Sequence, residues 1–356
     1  MTTNTTPRTP SPTLATALER CRQFSDGASV LVVIVSYQTA SMVIRAVASL
    51  EGEAAADARL RVVVVDNTCG KDGPEIQSAI DARGFGRWAM VLVSEHNGGY
   101  GYGNNLAVRE ALRASRPPEL FWMLNPDAEA RPGSVKALQD FMATDPKIGI
   151  VGSALLNVDE SVWGYAFRFP TVLSELESGA SLGLLTRLLH RYVVPMKMGD
   201  QPQQVDWLPG ASMMLRREVF QSIGLFDEGY FLYHEETDLC LQAQRAGWSC
   251  WYVPASRVMH IAGGSTGVTT RGGTPKRRPQ YVFDSRRRYF IKNHGWAYAV
   301  AADLAYSTGL ASRRVRRRIQ GRPDRDPPHL LWDTLRNSTL LKARPWERID
   351  RKMRPA

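Results

Sequence analysis

The sequence contains no apolar run approaching the roughly 18 to 20 residues that cross a bilayer as a helix, so no helical span is expected. Its first residues, MTTNTTPRTPSPT, hold no apolar stretch of the secretory type. The Thr, Pro and Ser content there predicts a disordered tail over residues 1–27 and a cytoplasmic protein. Cysteine is scarce: Cys21, Cys69, Cys240 and Cys250 share no CxxC or Cys/His spacing, which argues against a zinc site or a disulfide framework and suits a reducing compartment. Two glycine fingerprints are also missing. The dinucleotide pattern G-x-G-x-x-G starts at Gly99 and Gly101, but its third glycine, Gly103, falls one place early. Gly98 and Gly103 have the P-loop spacing, yet Asn104 and Asn105 stand where Lys and Ser or Thr are needed. The first misfit counts against an NAD-type oxidoreductase. No familiar nucleic-acid motif is present either, which weakens the reading of this basic chain as a nucleic-acid binder.

What is present is an alternation of strands and helices. VLVVIVSY (30–37), RVVVVDN (61–67), WAMVLVS (88–94), LFWMLN (120–125) and IGIVGSAL (148–155) are short, continuous apolar runs of the kind buried in parallel sheets. Helical stretches separate them, including 74–83, 104–115 and 131–144. The expected fold is α/β, a mostly parallel central sheet flanked by helices. Ligands in such sheets bind beyond the carboxyl ends of the strands, and those ends carry SY (36–37), DN (66–67), EHNGG (95–99) and NPD (125–127). A nucleotide-binding half over 28–150 and an acceptor or catalytic half over 151–265 follow from this pattern. Beyond 155 the alternation breaks. The sequence predicts strand, turn, strand and helix over 205–224, a helix over 235–248 and a strand over 250–256.

Charge is unevenly placed. The chain carries +10 overall, and from residue 266 onward there are about 22 Lys and Arg against 7 Asp and Glu, leaving the preceding part net negative. Residues 266–356 therefore read as a basic, mainly helical extension that could meet anionic lipid, a phosphorylated substrate or nucleic acid. Within it, 297–311 is apolar but broken by Asp303 and Gly309. It suits either an interfacial helix on an anionic membrane or a helix packed on the catalytic domain or a dimer partner.

Three motifs carry candidate chemistry. The stretch SEHNGGYGYGNN (94–105) places glycines between a strand and a helix, where free N–H groups can meet an anion. LNPDAE (124–129) puts Asn125 and Asp127 just after a buried strand, where an acid can hold Mg²⁺ or Mn²⁺ on a diphosphate or simply close a turn. YHEETDLCLQAQRAGW places Glu235, Glu236 and Asp238 in one helical turn, more acid than a helix dipole requires and enough to raise a carboxylate toward a useful base. His260 ends a further short strand and is of interest as an imidazole ligand for a transition metal.

In this order the blocks VVIVSYQTASMVIRAVASL, VVVVDNT, NGGYGYGNN, LNPDAE, WLPGASMMLRREVF, GLFDEGYFLYHEETDLCLQAQRAGW and HIAGGS resemble the inverting family-2 glycosyltransferases of GT-A fold, and among them bacterial rhamnosyltransferase-like members that build cell-surface polysaccharide. The resemblance covers about residues 30–293 and implies a GT-A catalytic domain, here 28–265. It implies that Ser36 and Tyr37 line the nucleoside pocket and that Asp66 accepts the N3–H of uracil or thymine. Asn97, Gly98, Gly99, Gly101 and Asn105 would lie along the nucleotide, with Asn125 facing the ribose. Asp127 would ligate a divalent metal, Mn²⁺ or Mg²⁺, joined by His260. Trp207 and Gly210 would shape the donor-sugar and acceptor region. Glu236 occupies the second place of the family's acidic pair and would be the catalytic base, with Glu235 and Asp238 as the neighbouring candidates. The implied donor is a nucleotide-diphosphate sugar, dTDP-rhamnose first and UDP-galactose or UDP-glucose next. The implied acceptor is a hydroxyl of a glycan or lipid-linked glycan at the inner face of the plasma membrane.

Overall fold

The computed structural model describes residues 11–163, 165–261 and 275–342. The chain begins with α1 (Pro12–Ser25) and β1 (Val30–Ser36), then α2 (Ala40–Ala48), α3 (Glu51–Ala56), β2 (Arg61–Asp66), α4 (Gly73–Ala82) and β3 (Ala89–Val93). It continues through α5 (Tyr100–Ala111), β4 (Leu120–Leu124), β5 (Ala128–Ala130), α6 (Ser134–Ala143) and β6 (Ile148–Leu156). A small lobe follows, made of β7 (Tyr165–Phe167), α7 (Val172–Ala180), α8 (Gly183–Leu188) and β8 (Pro195–Lys197). The rest is β9 (Gln203–Gln204), β10 (Ser212–Arg216), α9 (Arg217–Ile223), α10 (Glu235–Arg245), β11 (Ser249–His260), α11 (Gln280–His294), α12 (Trp296–Ile319) and α13 (Leu330–Arg336).

The main sheet runs β3-β2-β1-β4-β10-β6-β11-β5, with β9 added to β11. β1, β2, β3 and β4 are parallel, as the apolar runs predict. β10 enters antiparallel between β4 and β6, so the sheet is mixed at its centre. β1 shows how the core divides. Its residues alternate in direction, so Leu31, Val33 and Val35 join a core with α1, α5, α9 and α10. Val30, Val32 and Ile34 join a second core with α2, α4 and α6 on the opposite face. Both faces are covered, which is why the strand reads as continuous Val, Leu and Ile instead of an alternating pattern.

The expected disorder across 1–27 does not hold for residues 12–25. Ser11 caps α1 by accepting a bond from the Leu14 amide at 3.2 Å, and Pro12 sits in the first turn, where its missing N–H costs nothing. Leu14 and Cys21 are buried in the first core, and Arg22 pairs with buried Glu110 of α5 at 2.7 Å. Polar composition masked an amphipathic helix with few but well-placed apolar residues. Residues 1–10 lie outside the described part, as do 262–274 and 343–356.

The basic extension is packed on the rest of the protein. α12 lies along α7 and buries Ala299, Ala302, Asp303, Ser307, Gly309 and Leu310. Asp303 accepts from Arg286 at 2.5 Å and from the Thr339 amide at 2.6 Å. Of the two readings of residues 297–311, the packed helix is the one observed for this face. Among the described residues no helix is long and apolar enough to cross a membrane.

Candidate active site

Two segments built very differently meet at the carboxyl ends of β1 and β4. One is the glycine-rich start of α5; the other is the turn Phe226–His234 that leads into α10. Gly99 has φ +90°, and the Phe231 carbonyl oxygen lies 1.8 Å from where a Cβ on Gly99 would sit. Only glycine allows that approach, which is fixed by the Tyr100 amide donating to the Phe231 carbonyl at 3.1 Å. The helix begins at Tyr100, four residues before its predicted start, so Gly101 belongs to its first turn and is buried. Asn97 accepts from the Gly99 amide at 3.0 Å, closing the turn, and Gly98 is half-buried beside it. Asn105 is buried, donating to the Phe226 carbonyl and to Glu228 and accepting from the Phe226 amide. The motif thus clamps α5 to the 226–234 turn, and Asn105 faces protein.

That clamp orients the acids. Tyr233 and His234 both adopt left-handed backbone, φ 70° and 69°, sparsely populated for such residues and found where surrounding structure enforces them. His234 is half-buried with its Nδ1 out of contact with solvent, its ring stacked 5.3 Å from Tyr289, and desolvation above all lowers its pKa to about 3, with the Arg286 charge adding to the effect. The two residues deliver Glu235 and Glu236 side by side at the start of α10. Burial, and then the neighbouring Glu236 charge, push Glu235 well above the ordinary carboxylate range. Burial raises Glu236 too, opposed by bonds from its own amide, the Gly210 amide and Glu235. Adjacent buried carboxyls titrate as a pair, and in this one the upward push is stronger on Glu235 than on Glu236. Asp238 is not part of this pair. It faces the C-terminal helices, held by Lys292 at 2.6 Å and Asn293 at 2.7 Å.

The acidic pair is joined to the Asn125–Asp127 turn through Gly210 and Ala211, just before β10. Tyr100 donates to the Gly210 carbonyl at 2.8 Å, and the Gly210 amide bonds Glu236. The next carbonyl, Ala211, accepts from the Asn125 amide at 3.1 Å. Asn125 Nδ2 lies 3.4 Å from His260 Nε2, and the same imidazole nitrogen lies 3.3 Å from Asp127 Oδ1. Asp127 is buried, and His260 Nδ1 is buried with no hydrogen-bond partner among the described residues. One carboxylate and one imidazole converge at the end of β4 and β11. Such a set fits a Mn²⁺- or Mg²⁺-type cation that takes its remaining ligands from a substrate diphosphate. Asn125 therefore supports the imidazole in this structure.

Other sequence candidates sit elsewhere. Asp66 is fully buried: Oδ1 takes the Thr68 amide at 2.7 Å and its hydroxyl at 2.5 Å, and Oδ2 takes the Gly73 amide at 2.8 Å. Ser36 is also fully buried and donates to Asp72 at 2.6 Å. These two hold the loops after β1 and β2 and do not open onto a pocket, whereas Tyr37 beside them is exposed. Trp207 stacks on Phe167 at 4.3 Å and donates to the Arg168 carbonyl, which fixes the small lobe to the sheet. Sequence reasoning missed Tyr100, Asn67 and His234. Asn67 bonds the Gly99 carbonyl at 3.0 Å; its place beside Asp66 at a strand end was the available signal.

Comparison with known proteins bears on family and fold. The family described as "Glycosyltransferase like family 2" matches residues 27–278. The chain is similar to N-acetylglucosaminyl-diphospho-decaprenol L-rhamnosyltransferase of Mycobacterium tuberculosis (strain CDC 1551 / Oshkosh), 30% identical over 249 residues, 66% of this chain and 77% of that protein. It is also similar to rhamnosyltransferase WbbL of Escherichia coli (strain K12), 30% identical over 168 residues, 46% of this chain and 61% of the relative. In fold it matches the mannosyltransferase PcManGT of Pyrobaculum calidifontis, solved with GDP-Man and Mn²⁺, at TM-score 0.50 and 14% identity, covering 86% of this chain and 82% of that one.

Proposed function

The chain belongs to the family-2-like glycosyltransferases and moves a sugar from a nucleotide-sugar donor in cell-surface glycan synthesis; from that premise we propose that it transfers rhamnose from dTDP-rhamnose to a hydroxyl of a lipid-diphosphate-linked glycan, with inversion at the anomeric carbon. The observation that carries the mechanism is the Glu235–Glu236 pair, tethered through Gly210 and Ala211 to the Asn125–Asp127–His260 corner. Glu236 removes the acceptor proton as the hydroxyl oxygen forms its bond to the anomeric carbon and the nucleoside diphosphate departs. Glu235, holding a proton in its buried place, keeps its neighbour the basic member of the pair. Asp127 and His260 would hold a divalent cation, and when bound that cation supplies Lewis-acid stabilisation of charge on the leaving diphosphate. The Gly210 amide and Tyr100 fix the distance between the two halves of the site.

The C-terminal helices extend this reading to an acceptor carried on a membrane. Their excess of arginine supports peripheral contact with an anionic surface. A nucleotide-release assay with dTDP-rhamnose, UDP-galactose and UDP-glucose, each with and without Mn²⁺ or Mg²⁺, tests donor and metal together. The expected result is release from dTDP-rhamnose that depends on added cation and stops with a chelator. Preference for a UDP-sugar would replace the donor, and full activity in chelator would remove the cation from the mechanism.

A further inference from the structure

Away from the acids, the last turns of α12 and the chain that follows it enclose a cavity of about 290 Å³ against the end of α7. Its lining includes Ser181, Arg313, Arg316, Arg317, Arg322 and Arg325. The site is built on one side and open in charge on the other. Arg313 bonds Asp326 at 2.7 Å and Ser181 at 3.0 Å, and Arg316 donates to the Ala180 and Ser181 carbonyls at 2.8 and 3.0 Å. These contacts hold two guanidiniums at the wall. Arg317, Arg322 and Arg325 form no ion pair among the described residues. Asp326, also in the lining, is a single carboxylate among five guanidiniums, already engaged by Arg313 and close to Arg314. Gathering like charges in a concavity costs stability and raises the local potential, an arrangement that an anion relieves. Guanidinium forks match phosphate oxygens in geometry and charge. The volume equals that of about ten liquid waters, room for a hydrated phosphate group.

We propose that this arginine-lined cavity receives a phosphoryl group, either the headgroup of an anionic phospholipid where the protein sits on a membrane or a soluble phosphate. The lipid case deepens the peripheral-contact reading and rests on it. Vesicles of phosphatidylcholine with and without phosphatidylglycerol would be floated with the full-length protein at low salt. The comparison is among wild type, the triple variant Arg317→Ala/Arg322→Ala/Arg325→Ala, and a control, Arg83→Ala/Arg87→Ala/Lys147→Ala, that removes the same charge from exposed positions elsewhere. Each arginine at an anionic surface contributes about fivefold in affinity, so the cavity triple should bind about a hundredfold more weakly while the control binds nearly as wild type. Nucleotide release to a water-soluble acceptor and thermal melting should be unchanged in both, showing that the variants fold. Equal weakening of both triples would overturn the cavity in favour of diffuse attraction. Undiminished binding of the cavity triple would overturn it while leaving peripheral contact standing. No vesicle binding by wild type would sink the membrane reading altogether. Titration with pyrophosphate separates the sources: saturable binding lost in the cavity triple, without vesicle binding, would keep a phosphoryl site and assign it to a soluble anion.

Discussion

Glu235 and Glu236 occupy consecutive positions in the first turn of α10, and burial raises the pKa of both carboxyls, Glu235 the more strongly. If Glu236 is the base, Glu236→Gln keeps the bonding frame but cannot accept a proton. Transfer should fall by about 10²–10⁴-fold while donor binding is kept. Kinetics with a donor-displacement assay checks both, and near-normal kcat would move the base elsewhere.

The same pair shapes stability against pH. Both folded pKa values are raised above the unfolded value of 4.5, so the folded state holds protons the unfolded state has lost. Stability from this source is complete below 4.5 and is lost as pH rises through the folded values, with a slope of about 1.4 kcal/mol per pH unit for each retained proton. Glu235→Gln removes one such group. Melting temperature should therefore decline less steeply with rising pH in the variant than in wild type, measured from pH 4.5 upward.

At the other corner, Asn125 bridges toward His260, which in turn lies beside Asp127. If those two side chains hold the cation of the proposed mechanism, Asp127→Asn should abolish the response of nucleotide release to Mn²⁺. Asn125→Ala, which only removes support from the imidazole, should weaken Mn²⁺ by about 10–100-fold, the usual cost of losing an outer-shell partner. Mn²⁺ paramagnetic resonance gives the affinity without relying on turnover.

Gly99 offers a purely structural test. With φ +90° and the Phe231 carbonyl occupying the place of a Cβ, Gly99→Ala must push the α5 start away from the 226–234 turn. Backbone strain alone costs about 1–3 kcal/mol, and the displaced carbonyl adds to it. Thermal unfolding should show the loss, and transfer should fall with it because that turn carries the acids.

The strands were legible because burial on both faces writes an unbroken Val, Leu and Ile run. The sequence density of acids at 235–238 exceeds a helix-dipole role, and the fold buries Glu235 and Asp238 and turns Asp238 toward Lys292. α1 was hidden by its Thr, Ser and Pro content, although Ser11 and Pro12 form a helix start followed by Leu14, Leu18 and Cys21 on one face. For other residues the partners seen in the fold are remote in sequence. Asn105 is claimed by Phe226 and Glu228, Asp238 by Lys292, and no local pattern records such pairings. Asp66 and Ser36 stand at strand ends, where ligands also bind, yet both bond to loop groups that only the folded chain brings near. The antiparallel insertion of β10 escaped for a related reason, since a buried five-residue strand looks alike in either direction.

The acid that left the active site makes the last prediction. Lys292 of α11 lies 2.6 Å from Asp238 and 2.8 Å from Asp227, and Arg288 lies 2.8 Å from Asp227, all largely buried. This network ties the basic extension to the catalytic domain. Lys292→Met would leave Asp238 with Asn293 and Gln242 as its remaining side-chain partners and without its cation, a loss of about 3–5 kcal/mol for breaking a buried pair. Burial by itself would raise Asp227, but the Arg288 and Lys292 charges outweigh it and hold the group below 3.8. A depressed carboxylate contributes above its unfolded pKa and loses that contribution as pH falls through the folded value. The gap in stability between wild type and Lys292→Met should therefore be full near neutrality and should narrow below pH 3.8, read by urea unfolding across pH. A chain cut after residue 265 should be destabilised for a further reason, because Tyr230 would lose Tyr289, Phe290, Ala299 and Ala302, the residues that bury it.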